Sequence, residues 1–530
     1  MPPTANVNTP SKKHEEMEAL RVLPRDLALG VERLREDVCA KKYLPRNPTE
    51  VPENVPGFGR IDPWRNRVQM SRLKNMFKDA VDDCVGRAFA KEAKYDDGTP
   101  QALIDLMDDV DGRGTNFHVF GMNVAGTSCA EGDDFVLVDF PNTSGMEGLT
   151  LAEWELLRLE PFWRRYSPAD VIGWSHRKFG KEEKLEHVRL RERRLVRAGD
   201  WSLEPRVQVR VLYCGDSRIP AEDERRWARW EIYRPADEDK PEEEWVVVAA
   251  GVLKPQVDIP LVSFPFLLST PFEARPPMLD LAHTTMAHYR KMSALDNAQH
   301  AVGFPLLHWG GGAIDPTTKK AIGLGPNRLM VSADPAGHAE FIEPAGTAWA
   351  SLRVELDAME SEAREMASEP TAAAASGNLT ATGEAIRAAR SSSRLEAAVL
   401  GWQDSFNALF YFTAVYMGIV QPDADRGWGG VQLNRRFVPI TKNLEGAKLA
   451  KDLNLAGRLS NESLFEAIKA AEIVGEGVTF EEEEERIAKD GPATPEPGLA
   501  DALLMQQGLP PAPGAPAPPA GNAQVDDAQP

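Results

Sequence analysis

The chain has 530 residues and a formal net charge of −20, with 42% hydrophobic and 27% charged residues, a balance that permits a sizeable core in several domains or one large composite fold. That acidity excludes a protein that wraps tightly around nucleic acid, which needs a basic footprint, but not one past which DNA slides without being held. The cysteines Cys39, Cys84, Cys129 and Cys214 form no CxxC pair, so no zinc or redox motif is visible, and reduced thiols in a cytoplasmic setting are expected.

Residues 1–19 are polar, carry no signal-peptide core and are expected to be disordered. Leu73, Met76, Phe77, Ala80, Val81, Cys84, Val85, Ala88 and Phe89 then recur mostly three or four apart, one stripe of an amphipathic helix. Asp111, Gly112 and Gly114 mark a turn, and Gly132, Asp133 and Asp134 another, before a short strand from Phe135 to Phe140. Three segments, Val207 to Cys214, Trp227 to Arg234 and Trp245 to Leu253, read as an antiparallel meander. From Met278 to about His300 the pattern turns helical, roughly 35 Å of helix. Residues 303–341 break short apolar runs with Gly310, Gly311, Gly312, Gly323, Gly325 and Pro326, as in a small β-rich insertion.

The clearest helix runs from Thr347 to Glu369, where Trp349, Leu352, Leu356, Met359, Ala363 and Met366 are spaced 3, 4, 3, 4, 3. This heptad-like seam suits packing along a neighbouring helix at a shallow angle. Pro370 stops it. The segment from Thr371 to Gly383 is small and polar, and a second long helix, roughly 50 Å, begins at Glu384 with the stripe Leu395, Ala398, Val399, Trp402, Phe406, Leu409, Phe410, Thr413 and Tyr416. A strand from Val431 to Ile440, a helix from Ser460 to Ala471 and a short acidic helix around Glu481 to Glu485 follow; residues 491–530, mostly Pro, Ala and Gly, cannot bury a core and are expected to be disordered. No apolar run approaches the ~20 residues of a membrane helix.

Catalytic and metal motifs fail on their spacing. With Gly112 at the sixth position of a calcium loop, the first and last ligands would be Met107 and His118, so Asp109 and Asp111 read as turn residues. His283 and His288 are five apart and share no helix face well, and no HExxH occurs. The glycines at 310–312 and 323–325 lack a following Lys-Ser/Thr, Gly180-Lys181 is followed by Glu182, and no GxSxG is present. Neither a cofactor nor a catalytic residue is expected. Arg189, Arg191, Arg193, Arg194 and Arg197 form a basic run, read either as solvated surface or as a contact with an acidic partner or DNA.

A collinear set of segments resembles tailed-phage portal proteins, in a branch known mostly as phage proteins of unknown function. The segments are Lys42-Tyr43-Leu44-Pro45, the helix Arg67 to Phe89, the turn Asp109 to Gly114 with the strand Gly132 to Pro141, Pro161 to Trp174, Arg229 to Arg234, Ile259-Pro260-Leu261-Val262, Pro277 to Tyr289 and Thr380-Ala381-Thr382. No piece is specific alone; the order carries the resemblance over roughly Leu20 to Asp490. It implies an α+β fold with a wing (20–275), a stem helix (276–300), a β-rich clip (301–346), a returning stem helix (347–369), a tunnel loop (370–383), a long helix and wing return (384–459) and a short crown (460–490).

The resemblance also implies a homo-oligomer, a dodecameric ring at one capsid vertex of a virion, made in the host cytoplasm. Double-stranded DNA would pass through it, and it would dock the packaging motor (terminase), the major capsid protein and a head-to-tail adaptor, with no membrane. Channel-lining candidates are Glu355, Asp357, Glu360, Glu362, Glu365 and Glu369; repeated around a ring they would repel phosphate and let DNA slide. Read alone they are equally a solvated helix face or partners for neighbouring arginines. Tunnel-loop candidates are Thr371, Ser376, Gly377, Asn378, Leu379, Thr380 and Thr382, in what is otherwise an ordinary, if long, helix connection. Competing readings are a packaging scaffold or connector without a channel and a nucleic-acid-processing enzyme.

Overall fold

A computed structural model of the protein describes residues 6–48, 50–55, 59–141, 153, 157, 159–179, 182–197, 199–220, 222–238, 240, 244–267, 270–302, 306–309, 339–342, 347–367, 381–422, 429–435, 444–470, 474 and 478–490. They form a mixed α+β fold, and the chain divides into two compact units, Met1–Phe437 and Val438–Pro530. Residues 310–338, most of the expected clip, 368–380, most of the expected tunnel loop with Glu369, and the tail 491–530 lie outside the described residues.

The first unit opens with helices α1 (Lys12–Ala28), α2 (Val31–Arg35) and α3 (Asp37–Tyr43), the short pair β1 (Glu53–Val55) and β2 (Gly59–Ile61), and helices α4 (Pro63–Met70) and α5 (Met76–Ala88). Then come β3 (Lys94–Tyr95), α6 (Gln101–Leu106) and α7 (Phe117–Glu131). Strands β4 (Phe135–Asp139), β5 (Phe162–Tyr166), β6 (Val171–Phe179), β7 (Glu182–Arg197), β8 (Leu203–Tyr213), β9 (Arg229–Pro235), β10 (Trp245–Val252) and β11 (Leu261–Ser263) follow. Helix α8 (Leu279–Val302), strands β12 (Leu306–Trp309) and β13 (Ala339–Ile342), helices α9 (Thr347–Met366) and α10 (Ala381–Tyr416), and β14 (Val431–Gln432) complete it.

The expectation of disorder over 1–19 is corrected from Ser11 onward, and residues 1–5 lie outside the described residues. Ser11 caps α1 by accepting from the His14 N–H at 3.2 Å, and its own N–H donates to the Ile172 carbonyl at 2.8 Å. The helix buries Met17 and Leu27 together with Arg21, whose guanidinium donates to the Glu131 and Ala274 carbonyls. A buried face occupied by arginine and histidine reads as polar surface, which is why composition hid it. The expected helix Arg67 to Phe89 is also corrected: it breaks at Ser71–Asn75, where Asn75 caps α5 by accepting from the Lys78 N–H at 3.1 Å.

The three-strand meander read from the sequence is part of a five-stranded antiparallel sheet in the order β10-β9-β8-β7-β6. A smaller sheet, β11-β4-β5, carries β4 buried at every position. Gly132 joins α7 to β4 in the left-handed region at φ 92°, and a Cβ there would stand 2.4 Å from the Arg275 carbonyl oxygen. Only glycine fits. The spine of the core is α10: Leu395, Ala398, Val399, Trp402, Phe406, Leu409, Phe410 and Thr413 are all buried, as the stripe predicts. Trp402 donates to Ser128 Oγ at 3.0 Å and Trp163 to Thr413 Oγ1 at 2.9 Å, so both indole N–H groups are satisfied inside. The helix begins at Ala381, three residues before the expected Glu384. Of the expected strand from Val431, β14 spans Val431–Gln432, and 436–440 lie outside the described residues.

In the second unit, α11 (Leu444–Leu455), α12 (Asn461–Ala470) and α13 (Phe480–Asp490) are helical. Ser460 caps α12 by accepting from the Ser463 N–H at 3.2 Å, and Phe465 meets Phe480 edge-on at 5.6 Å.

Candidate functional site: the paired helices α8 and α9

Helices α8 and α9 run antiparallel. Thr284 meets Met366, His288 meets Glu360 and Lys291 meets Glu355, so the partner number falls as the α8 number rises. The predicted seam packs as its spacing requires: Leu356 and Ala363 are buried, Leu352 and Met359 half-buried, and Met366 reaches Thr284 Oγ1 at 3.7 Å. At the far ends, β12 and β13 pair antiparallel from Leu306↔Ile342 to Trp309↔Ala339.

The acidic residues of α9 split into two sets. Glu360 turns inward and meets two cations, Lys74 Nζ at 2.6 Å and Arg364 Nη2 at 3.6 Å, and the buried imidazole of His288, with Nε2 at 3.4 Å. Burial raises the Glu360 pKa, but Lys74, with His288 and Arg364, outweighs it and the net shift is downward. Burial likewise lowers the pKa of His288, against the pull of Glu360. Glu355 is tied to Lys291. Asp357, Glu362 and Glu365 are exposed and have no ion pair among the described residues. Asp357 and Glu365 lie two turns apart, on the face away from the seam. The expected acidic wall is therefore partitioned: Glu355 and Glu360 bind within the chain, and three carboxylates remain turned outward. Glu369 and the loop residues Thr371, Ser376, Gly377, Asn378, Leu379 and Thr380 lie outside the described residues; Thr382 falls in the first turn of α10.

A second charged cluster, which sequence reading treated only as a turn, joins the helices to the small sheet. Asp133 accepts from Ser263 Oγ at 2.9 Å and from the Phe264 N–H at 3.0 Å, and Asp134 pairs with Arg165. Burial raises the Asp133 pKa to about 7 and that of Asp134 to about 8, against the opposing charges of Arg21 and Arg165. These groups are sealed in the core and reach no open cleft, so they read as structural. The turn carboxylates Asp111 and Asp109 accept from backbone N–H groups of Arg113 and Gly114, at 2.9 and 2.8 Å. Their oxygens serve the turn itself.

The basic run on β7 is largely spent inside the chain. Arg189 donates to the Val7 and Thr9 carbonyls, Arg191 to Asn8, and Arg194 pairs with Glu238. All four cysteines are unpaired thiols, with Cys39 and Cys129 buried. Among the described residues no group of three or more His, Cys, Asp or Glu could hold a metal ion, and no helix is long and apolar enough to cross a membrane.

The helical half of the first unit, from before α8 through α10, is the part that comparison with known families marks. Residues 277–417 match the profile of a family described as a domain of unknown function, DUF4055. No curated protein matches the chain. Among solved structures it is similar to a chain of the virion of a native gene transfer agent (GTA) particle, at 12% identity and a TM-score of 0.38, covering 73% of this chain and 87% of that one. A chain from the neck of the empty GTA particle, solved with C6 symmetry, gives 12%, 0.38, 74% and 89%. One from the neck of the native particle, with C12 symmetry, gives 12%, 0.36, 73% and 88%. These scores are too low to define a fold, which rests on the elements described above.

Proposed function

We propose that this chain is a portal subunit, one copy of a ring through which DNA enters and leaves a phage-like capsid. The observation that carries the reading is the antiparallel pair α8 and α9, capped at one end by the β12–β13 pair and followed by the core-spanning α10, with Asp357, Glu362 and Glu365 left outward and unpaired among the described residues. In this reading the pair is the stem, β12 and β13 root the clip, residues 370–383 line the narrowest passage, and the sheet and helices around α10 form the wing. The order of the sequence segments supports the same assignment.

Repeated around an axis, an outward acidic face repels phosphate, so a duplex finds no fixed binding site and slides. The chain acts as a conduit and docking ring for the motor, capsid and adaptor, and not as an enzyme. Negative-stain imaging and light scattering of the purified protein test this: a ring with a central hole is expected. A chain that stays monomeric at high concentration and within particles alike defeats the reading. Nucleic-acid hydrolysis by the purified chain would favour the processing-enzyme alternative.

A further inference from the structure

The two larger sheets of the first unit pack together at one end and part at the other. Cross-strand partners share a face of a sheet. On the five-stranded sheet this gives two rows running from β7 to β10: Leu190, Arg210, Ile232 and Ala249, then Val188, Leu212, Trp230 and Gly251. On the small sheet the same rule pairs Phe135 with Tyr166, Leu137 with Arg164, and Asp139 with Phe162. Toward β7 the gap is filled, because Val188, Leu190 and Leu212 are buried in one cluster with Phe135, Leu137 and Tyr166. Toward β10 the rows end in Ala249 and Gly251, which are too small to fill it. Gly251 is fixed by close approach, since a Cβ there would stand 2.9 Å from the Trp230 indole.

The open end is a wedge-shaped cavity of about 760 Å³, with Trp230, Ile232 and Ala249 on one side and Phe140 and Phe162 on the other. Tyr416, in the last turn of α10, stacks on Phe140 at 5.5 Å and forms a third wall. Its hydroxyl is buried and meets no hydrogen-bond partner among the described residues. Burial raises its pKa, so it remains a donor. The charges of the lining do not cancel. Arg164, Arg210 and Lys254 line the cavity against one carboxylate, Asp139. Arg210 is held by Asp139 at 2.6 Å and by Glu192 at 3.0 Å, and Arg164 by Glu192 at 3.3 Å. With both carboxylates counted, one positive charge is left over, and Lys254 is exposed with no ion pair among the described residues.

We propose that this wedge binds a small amphipathic anion, a flat apolar body carrying one carboxylate. The body lies between the aromatic walls, the carboxylate supplies the acceptor that the Tyr416 hydroxyl lacks, and its single charge matches the unpaired lysine. A buried donor left without an acceptor is costly, so a guest that brings one is favoured over a purely apolar guest. The occupant is a small molecule because the space is concave, walled by two sheets and a helix, and of a size within the roughly 300–1,000 Å³ of such pockets. The site does not depend on the ring reading.

The test titrates 2-naphthoate into the full-length protein by isothermal calorimetry, with 2-naphthalenemethanol as its neutral counterpart. Both titrations are repeated on Ala249→Leu, Tyr416→Phe and Lys254→Gln proteins. Saturable one-to-one binding of the naphthoate is expected, at least about 10-fold tighter than that of the alcohol. Ala249→Leu fills the open end of the wedge and should abolish binding with an unchanged melting temperature. Tyr416→Phe and Lys254→Gln should each weaken the naphthoate about 5- to 10-fold, and Lys254→Gln should leave the alcohol unchanged. Absence of saturable binding, equal affinity for acid and alcohol, or binding that survives Ala249→Leu overturns the site. If Ala249→Leu unfolds, the other two variants decide, and naphthoate binding unchanged in both overturns it. A monomer that takes no naphthoate while Ala249→Leu blocks assembly gives the wedge to a neighbouring copy and overturns the small-molecule site.

Discussion

Replacing Glu360 by alanine should separate the two sets of acidic residues on α9. The carboxylate joins three elements: Lys74, just ahead of α5, at 2.6 Å, His288 on α8 at 3.4 Å and Arg364 on its own helix at 3.6 Å. Its side chain is 16% exposed, whereas Lys74 and Arg364 are each 47% exposed. Both cations can therefore return to water when the carboxylate goes, so the loss falls short of the 3–5 kcal/mol of a fully buried broken pair. It exceeds the ~0–1 kcal/mol of a surface pair, and about 1–2 kcal/mol is expected. Thermal unfolding of the dilute monomer, followed by circular dichroism, should show a drop of about 2–5 °C. Glu362→Ala and Glu365→Ala should each leave the transition in place. The effect should also fade with acid: the Glu360 pKa is depressed in the fold, so its stabilisation is present above the usual carboxylate range and lost as pH falls through the depressed value. A Glu360→Ala protein that melts with its parent at neutral pH, or Glu362→Ala and Glu365→Ala variants that melt as early as Glu360→Ala, would refute the partition.

Reversing the outward set, as Asp357→Lys, Glu362→Lys and Glu365→Lys together, should leave ring assembly intact but cut the yield of DNA-filled particles at least about 10-fold, because lysines would hold phosphate; undiminished packaging counts against a channel-facing α9. The buried pair Asp133 and Asp134 has pKa values raised to about 7 and 8 by burial, so its contribution to stability is fully present below about pH 4 and lost as pH rises through 7 to 8. Asp133→Asn should accordingly gain in melting temperature over the parent at pH 8 but not at pH 5, and a pH-independent difference would contradict this. Deleting residues 491–530 should shift the melting temperature by less than about 1 °C, since the segment has no apolar period to pack; a large drop would show that it docks.

The apolar buried faces of α9 and α10 were legible in the sequence; α7, buried through Phe117, Phe120, Val124 and Cys129, was not read, and neither were α1 and β7, where charged residues point inward. The stripe from Leu395 to Thr413 named the core face of α10 residue by residue, and the α9 seam named its contact with α8. α1 was missed because Arg21 and His14 occupy buried positions and satisfy themselves on carbonyls of Glu131, Ala274 and Val171. β7 was missed for a related reason: its arginines alternate correctly for a strand, but Arg189 and Arg191 face the carbonyls of residues 7–9, a partner no local pattern can announce. At the site, the acidic excess of α9 was legible, but its division was not. Which carboxylate turns inward depends on Lys74 and His288, supplied from elsewhere in the fold.

The proposed stem is anchored in the fold through α8. At successive turns α8 is held by the segment from α3 to α5: Arg290 donates to the Tyr43 carbonyl at 2.9 Å, Ser293 accepts from Ser71 at 2.7 Å, and Asp296 pairs with Arg72. The buried pair of Arg67 and Glu50 stiffens that support, and Lys74 carries it on to α9 through Glu360. The β7–β8 hairpin instead roots in the large sheet, through Glu192, Gln208 and Glu238. Both supports belong to the first unit, whose core interlocks Trp163 of β5 with Phe406 and Phe410 of α10. On the portal reading proposed above, a stem anchored this way stays fixed while DNA moves past its outer face.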